Sequence, residues 1–192
     1  DQKIIEIKNV KSVYVHPAMG DQGLTVGSAY AELSKTKKIK PAFLPNVSLG
    51  NSYSNDEIRN FLLSNNIKFS YIENFSKELH REFIQNRPVG FFNGKMEYGP
   101  RALLNRSILY HARDKTVNEW LNYRLNRSEF MPFAPVTIED ESENYFYGWN
   151  RHDFAADFMT MTYKCKKEFI NNCPAAIHVD NTARPQIIKK KP

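Results

Sequence analysis

Apolar residues recur along this chain in short clusters whose spacing alternates between the period of a strand and that of a helix. Val13-Tyr14-Val15 reads as a short strand. The stretch 16–23 that follows holds Pro17, Gly20 and Gly23 and reads as a turn, and 24–33 reads as a helix with Gly27, Ser28 and Ala29 on one flank. Small side chains there let the helix pack closely on a neighbour. A lysine-rich stretch at 35–40, closed by Pro41 and Pro45, reads as a linker and divides the chain into domains at 1–40 and 41–192. Beyond it, Ser54 with Glu57 three residues on has the form of a capping box, and Ile58, Phe61 and Leu62 follow at helical spacing. A strand is expected at 68–72 and a helix at about 76–86, with Leu79 and Phe83 inward. Another strand at 88–92 ends in the Asn93-Gly94 turn. Further strands are expected at 107–110, 134–138 and 175–179, and Asp114 caps a helix that uses Val117, Trp120 and Leu121. Helices and strands alternate without a clear crossover repeat, which predicts an α/β protein with a mixed sheet of the α+β kind. No internal repeat is present, so a solenoid is excluded.

Composition adds bounds to this pattern. With 192 residues, 41% hydrophobic and 13% aromatic, the chain has the means to bury a core, which argues against wholesale disorder. Its net charge of +6 suits an anionic partner such as nucleic acid, an acidic membrane or a phosphorylated small molecule, and equally suits a solvated basic surface. Two cysteines, Cys165 and Cys173, lack the spacing of a metal-thiolate pair or a disulfide framework, so a reducing, cytoplasmic setting is expected. Apolar runs are too short to span a bilayer, and the first residues are too charged for a signal peptide.

Four clusters carry candidate chemistry. In the run GKMEYGPRALLNRSIL at 94–109, Lys95, Arg101 and Arg106 stand around Gly94, Gly99 and Pro100, with Ser107 at a strand entry. Arginine forks match phosphate oxygens, lysine adds a compact charge, and glycine and proline bring amide groups close to a ligand. An anion site and an ordinary basic surface are both compatible with it, and the string is not a P-loop. In the second cluster, 127–135, two prolines bracket aromatics. Phe130 and Phe133 read more readily as core anchors than as a base-stacking platform, and Arg127 is the functional candidate. In the third, 178–184, a strand ends at a polar turn that presents His178, Asp180, Thr182 and Arg184. The histidine is compatible with a site or with a hydrogen-bonded core role. His16 with Asp21 is a weak metal pair, because even an open catalytic centre usually needs three ligands. His111 with Asp114 and His152 with Asp153 read as surface residues.

Taken together and in this order, the clusters resemble the NodU/CmcH family of carbamoyltransferases. The family's strings look like PxxGDxGxxxGA, GxxEFGPRALGNRSIL, FRPFAPxxL and HVDGTARxQ. This chain has HPAMGDQG with Gly27-Ser28-Ala29, then the 94–109 run, FMPFAP at 130–135 and HVDNTARPQ at 178–186. The resemblance implies a YrdC-like twisted sheet flanked by helices at 41–192, truncated at its C-terminus. A strand-helix remnant of an actin/sugar-kinase-like domain is implied at 1–40. It implies that the chain begins after the family's HxxxH metal motif and stops before its NTSFN-like segment. Asp21 matches the family's metal-ligating aspartate, with iron as the implied metal. Lys95, Arg101, Arg106 and Ser107 match the segment lining the nucleotide and carbamoyl phosphate pocket, and Arg127, His178 and Arg184 are further pocket candidates. Two residues depart from the strings: Leu104 and Asn181 each stand where the family has glycine. Asparagine tolerates a left-handed turn, whereas leucine places a side chain where close backbone approach is expected.

The implied activity is carbamoyl transfer to a hydroxyl of a small-molecule acceptor, through a carbamoyl-adenylate formed from carbamoyl phosphate and ATP with Mg. An RNA-binding YrdC-like module is the first rival. The clustering of basic residues around turn glycines, with no RNP-like aromatic platform, disfavours nucleic acid as a partner. The second is a degenerate domain without activity, for which Leu104 is the motive. A sheet lacking its last strand leaves an edge on which a second copy can pair as a homo-oligomer.

Overall fold

The computed structural model describes residues 2–40, 44–127, 132–150 and 154–189. In chain order the elements are α1 (Gln2–Ile5), α2 (Asp21–Lys37), α3 (Asn55–Ser64), α4 (Phe75–Ile84), β1 (Val89–Phe92) and β2 (Arg106–Leu109). They continue with α5 (Val117–Arg124), β3 (Val136–Ile138), α6 (Glu139–Tyr145), β4 (Tyr163–Lys164), α7 (Lys167–Asn172), β5 (Thr182–Ala183) and β6 (Gln186–Ile188). Short 3-10 turns lie at Ala155–Phe158 and Pro174–Ala176. The class is mixed α/β, as the pattern predicts. Among the described residues no helix is long and apolar enough to cross a membrane.

The chain divides into two compact units, Ala42–Tyr110 and the pair of segments Asp1–Pro41 with His111–Pro192. The break near residue 41 falls at the proline that closes the lysine-rich stretch. That stretch is itself helical as far as Lys37, where Lys38 takes a left-handed backbone (φ 53°) and ends α2. The break near residue 110 carries no proline or glycine, and nothing in the local composition marks it.

Within Ala42–Tyr110, Ser54 caps α3 as expected: its Oγ accepts from the Glu57 N–H at 3.2 Å while the Glu57 carboxylate accepts from the Ser54 N–H at 2.7 Å. Asn74 caps α4 by accepting from the Lys77 N–H at 2.9 Å. Neither helix has a fully buried residue. Leu79 and Phe83 are half-buried, and Phe61 is 61% exposed. β1 and β2 pair antiparallel, from Val89 opposite Leu109 to Phe92 opposite Arg106.

In the other unit the core lies late in the chain. Phe146, Trp149, Met161, Tyr163, Phe169 and Ile187 are buried together, with Ala155, Ala156 and Ala183 filling the narrow places between them. β4 pairs antiparallel with β5, and β3 pairs in parallel with β6. The buried Thr137 and Ser142 hydroxyls satisfy each other at 2.9 Å, and Ser142 donates to the Ile138 carbonyl at 2.8 Å.

Several expected elements differ. Among the described residues the single mixed sheet is instead three separate two-stranded pairs, each strand holding only two to four residues. The stretches 13–15 and 68–72 form no ladder. The strand expected at 175–179 is a 3-10 turn opened by Pro174, followed by irregular backbone and a turn at 179–180, since proline has no N–H to give a ladder. The helix after Asp114 takes Thr116 as its cap residue, and Asp114 instead accepts from the Thr116 N–H and hydroxyl at 2.9 and 2.6 Å.

β6 sets the depth of this core. Ile187 is 2% exposed and its neighbour Ile188 is 39% exposed, as alternation along a strand requires. Ile187→Ala is therefore expected to lower stability by about 3 kcal/mol and Ile188→Ala by under about 1 kcal/mol. Urea unfolding followed by the fluorescence of buried Trp149 measures both, and equal effects would show that the register of β6 is wrong.

Candidate functional site

The 94–107 run forms most of the connection between β1 and β2 and the first two residues of β2. A loop this long must find partners for its backbone groups, and here a side chain supplies them. Glu97 Oε1 accepts from the N–H groups of Leu103 and Asn105, both at 2.7 Å, and of Arg106 at 3.1 Å. The Leu104 N–H goes to Ser107 Oγ at 3.0 Å. Partial burial alone would push the Glu97 carboxyl up. The Leu103 N–H, the residue's own N–H and those of Asn105 and Arg106 outweigh it and hold the group below its ordinary value. Asn105 closes the loop from the other side, its Nδ2 donating to the Lys95 carbonyl at 2.6 Å and to Ser48 Oγ at 2.8 Å. The 46–51 stretch flanks it through a Ser48–Glu97 bridge and bonds from Tyr98 N–H to Val47 and from Gly50 N–H to Met96.

This arrangement changes the expected roles. The amides of 103–106 are not available to a ligand, because Glu97 and Ser107 already occupy them. Arg106 turns onto its own loop: Nη1 donates to the carbonyls of Asn93 and Asn105 at 2.9 and 2.8 Å, and Nη2 to that of Gly94 at 3.2 Å. Its guanidinium also lies 3.5 Å over the Phe92 ring. Arg101 differs. It is half-buried, and its Nε is covered without a hydrogen-bond partner. Lys95 is exposed.

Glu97 was missed in the sequence, although it is the one acidic residue between Gly94 and Leu109. A lone carboxylate inside a basic, glycine-containing loop was the signal that could have found it. The structure also explains Leu104. Its φ is 72°, in the left-handed region that glycine adopts freely and leucine does not. Asn181, the other departure, has φ 60°, which asparagine accommodates.

The second turn lies in the other unit. Thr182 and Ala183 are buried in β5, and the turn before them is tied to β4's end by a bond from the Cys165 N–H to the Asn181 carbonyl at 2.9 Å. His178 and Thr182 share two contacts: the His178 N–H donates to the Thr182 carbonyl at 2.8 Å, and Nδ1 lies 2.9 Å from Thr182 Oγ1. Thr182 Oγ1 and its N–H reach Asp180 Oδ1 at 2.7 and 3.0 Å. Burial pushes the His178 imidazole below its ordinary value. The Asp180 carboxylate opposes this and Arg184 adds to it. The Thr182 hydroxyl and N–H hold the Asp180 carboxyl below the usual range. Cys165 nearby is no nucleophile, since burial pushes its thiol up to about 12.

Of the remaining candidates, Arg127 is exposed with its guanidinium 5.2 Å over the Phe133 ring, and Arg184 is half-buried. Phe130 and the other residues of 128–131 lie outside the described residues, as do His152 and Asp153. Asp21 is exposed at the first turn of α2, and His16 Nδ1 accepts from the Ala18 N–H at 3.2 Å. Among the described residues no three His, Cys, Asp or Glu side chains gather into a metal site. Asp21 offers a single carboxylate there, and no step can be derived through iron from these residues. His111 Nδ1 accepts from the Arg113 N–H at 3.3 Å.

The class of protein is given by comparison with known proteins. Residues 80–192, more than half of the chain, match the family described as Carbamoyltransferase C-terminus. The chain is 33% identical over 198 residues to the protein MJ1058 of Methanocaldococcus jannaschii, a match covering 98% of this chain and 32% of that one. It is 29% identical over 180 residues to Nodulation protein U of Azorhizobium caulinodans, covering 94% and 30%. To Nodulation protein NolO of Bradyrhizobium diazoefficiens it is 27% identical over 187 residues, covering 93% and 33%. The chain belongs to the NodU-type carbamoyltransferase family and corresponds to its C-terminal part. It spans about a third of the length of these relatives.

Three predictions concern the braced turn. A carboxyl held below its unfolded value stabilises the fold above that value, and the contribution is lost as pH falls through the folded one. Wild-type protein should therefore lose stability on acidification below about pH 4.5, and Glu97→Gln should flatten that part of the profile. Glu97→Ala, which leaves the N–H groups without an acceptor, should cost about 3 kcal/mol at neutral pH. Denaturant titrations from pH 3 to pH 7 test both, and parallel profiles for wild type and Glu97→Gln would refute the brace. At Leu104, glycine should stabilise by about 1 kcal/mol in the same titrations by relieving the left-handed strain, while β-branched isoleucine should cost more than about 1 kcal/mol.

Proposed function

We propose that the intact protein carrying this chain is an O-carbamoyltransferase that forms carbamoyl-adenylate from carbamoyl phosphate and ATP and passes the carbamoyl group to a hydroxyl of a small-molecule acceptor. The observation that carries this reading is Arg101. It lies within the stretch matched to the carbamoyltransferase family, on a turn whose shape is fixed from within, and its Nε is a buried donor without a partner.

The chemistry asks for cations more than for covalent work. Cleavage of carbamoyl phosphate by water gives carbamate and phosphate. A carbamate oxygen then attacks the α-phosphorus of ATP, and the bond to the β-phosphate oxygen breaks to release pyrophosphate. Negative charge grows on the phosphoryl oxygens, and a preorganised guanidinium stabilises it where it appears. Arg101 is the phosphate clamp in this scheme, and Lys95 adds a mobile charge. Arg106 acts chiefly by holding the turn, its charge contributing to the field around it. Arg127, His178 and Arg184, in the other unit, are further binding candidates by the family resemblance alone. Mg enters with ATP as part of the substrate. Asp21 would supply one carboxylate to an iron site, and no step of this scheme runs through that metal.

Pyrophosphate release from ATP by the intact enzyme, dependent on carbamoyl phosphate, tests the reading directly. Arg101→Ala should lower the rate by about 10²–10³-fold without loss of fold, and Arg101→Lys should recover only part of it because lysine lacks the fork. Unchanged release in Arg101→Ala would remove that residue from the site, and no release from wild type would remove the reaction.

A further inference from the structure

Alternation along β1 separates its two faces. Phe91 is half-buried and stacks on Phe75 of α4 with ring centroids 5.1 Å apart, so Gly90 and Phe92 stand on the opposite, exposed face. Their cross-strand partners Ile108 and Arg106 share that face. Phe92 is 59% exposed and Ile108 50% exposed. Gly90 stands out among them. A glycine inside a strand weakens it, and often marks a bulge, a bend or a close approach by a ligand or another backbone. The register here runs without a bulge from Val89 to Phe92. Among the described residues nothing lies within 4 Å of where a Gly90 Cβ would stand. The place beside Phe92 is therefore open.

Its wall is stiff. Arg106, held by the carbonyls of Asn93, Gly94 and Asn105, lays its guanidinium 3.5 Å over the Phe92 ring and fixes a side chain that would otherwise swing at the surface. Tyr53, 55% exposed, stands beside it with ring centroids 6.2 Å apart and the planes tilted by 34°. An exposed ring already held in one orientation stacks on a ligand with little further loss of entropy. Residues two apart on a strand stand about 7 Å apart, which leaves room for one flat ring against Phe92. Lys95 is exposed, and three residues of chain keep its backbone within about 11 Å of that of Phe92. A nucleoside triphosphate combines what this face asks for, a flat ring and, a short distance away, several negative charges. We infer that the gap over Gly90, walled by Phe92 and Tyr53, holds the base of the nucleotide, stacked on the Phe92 ring with its phosphates toward the basic turn. This deepens the function proposed above and rests on it for the nucleotide, and every residue it uses lies in the Ala42–Tyr110 unit.

Calorimetric titration of the intact enzyme with MgATP and with magnesium tripolyphosphate, in the absence of carbamoyl phosphate, separates the base from the phosphates. Wild type should bind MgATP at least about tenfold more tightly, the size of one base stacked on an aromatic ring. Gly90→Val should lower the affinity for MgATP about tenfold and leave that for tripolyphosphate within about twofold. Its melting temperature should equal or exceed that of wild type, since valine suits a strand and meets no neighbour there. Phe92→Ala should repeat the loss, and Phe92→Trp should keep the preference. Equal binding of the two ligands by wild type, or an unchanged affinity for MgATP in Gly90→Val, would overturn the inference. So would a lower melting temperature of Gly90→Val, because protein and not ligand would then fill the gap. A preference for MgATP that depends on Gly90 and Phe92, without pyrophosphate release, would instead overturn adenylate formation and leave the base site standing.

Discussion

One carboxylate decides the shape of the basic turn. The connection between β1 and β2 contains N–H groups at Leu103, Asn105 and Arg106 that no strand or helix satisfies, and Glu97 gathers them onto one oxygen. Hydrogen bonds to an ionised acceptor are stronger than neutral ones, so the turn closes on a charge it supplies itself. Everything nearby inherits that geometry. Arg106 reaches the Asn93 and Gly94 carbonyls from a backbone whose N–H Glu97 holds, and Asn105, held in the same way, bridges Lys95 and Ser48. With the amides occupied from inside, an incoming anion has to be met by side chains. That requirement distinguishes this turn from a phosphate-binding nest, in which free backbone N–H groups do the work.

The histidine turn is supported differently. Its anchor is apolar: Ala183 is 0% exposed beside Tyr163, Phe146 and Ile187. Packing holds the strand, the strand holds Thr182, and Thr182 sets the imidazole. The first turn should therefore respond to pH and to loss of one charge, whereas the second should respond to volume changes in the core. Two sites in one chain with different sensitivities are easier to test apart than a single shared pocket would be.

What was legible in the sequence follows the same division. Local signals read well: the Ser54–Glu57 capping box forms, and the helices at α3 and α4 begin within a residue or two of their predicted starts. Motif strings pointed to four clusters, and two of them, the basic turn and the histidine turn, form closely hydrogen-bonded turns in the structure. Nonlocal facts did not read. Nothing in the spacing of 13–15 or 68–72 could say that those apolar stretches would find no partner strand, because pairing depends on chain far away. Glu97 escaped for a related reason. A search for phosphate-binding groups weights cations and glycines, and a carboxylate in their midst has no meaning until the backbone is seen to fold around it. Arg106 was read by residue type as a clamp, and only the carbonyls of Asn93 and Gly94 reveal it as a brace.

Leu104 bears most directly on whether such a domain has decayed. A side chain in place of a family glycine gives reason to suspect lost function, on the assumption that the glycine allows close approach to a ligand. The backbone gives another account of the glycine: residue 104 must be left-handed for Leu103, Asn105 and Arg106 to face Glu97 together. Leucine there costs about 1–2 kcal/mol of local strain, yet its N–H still reaches Ser107 and the carboxylate bonds remain. Asn181 meets the same left-handed demand in the other turn at smaller cost, and the His178–Thr182–Asp180 contacts stay intact around it. Both substitutions thus act on the energy of a turn and leave its chemical groups in place. A degenerate domain would be expected to lose the groups themselves, and here Glu97, Arg101, His178, Asp180 and Thr182 are all retained.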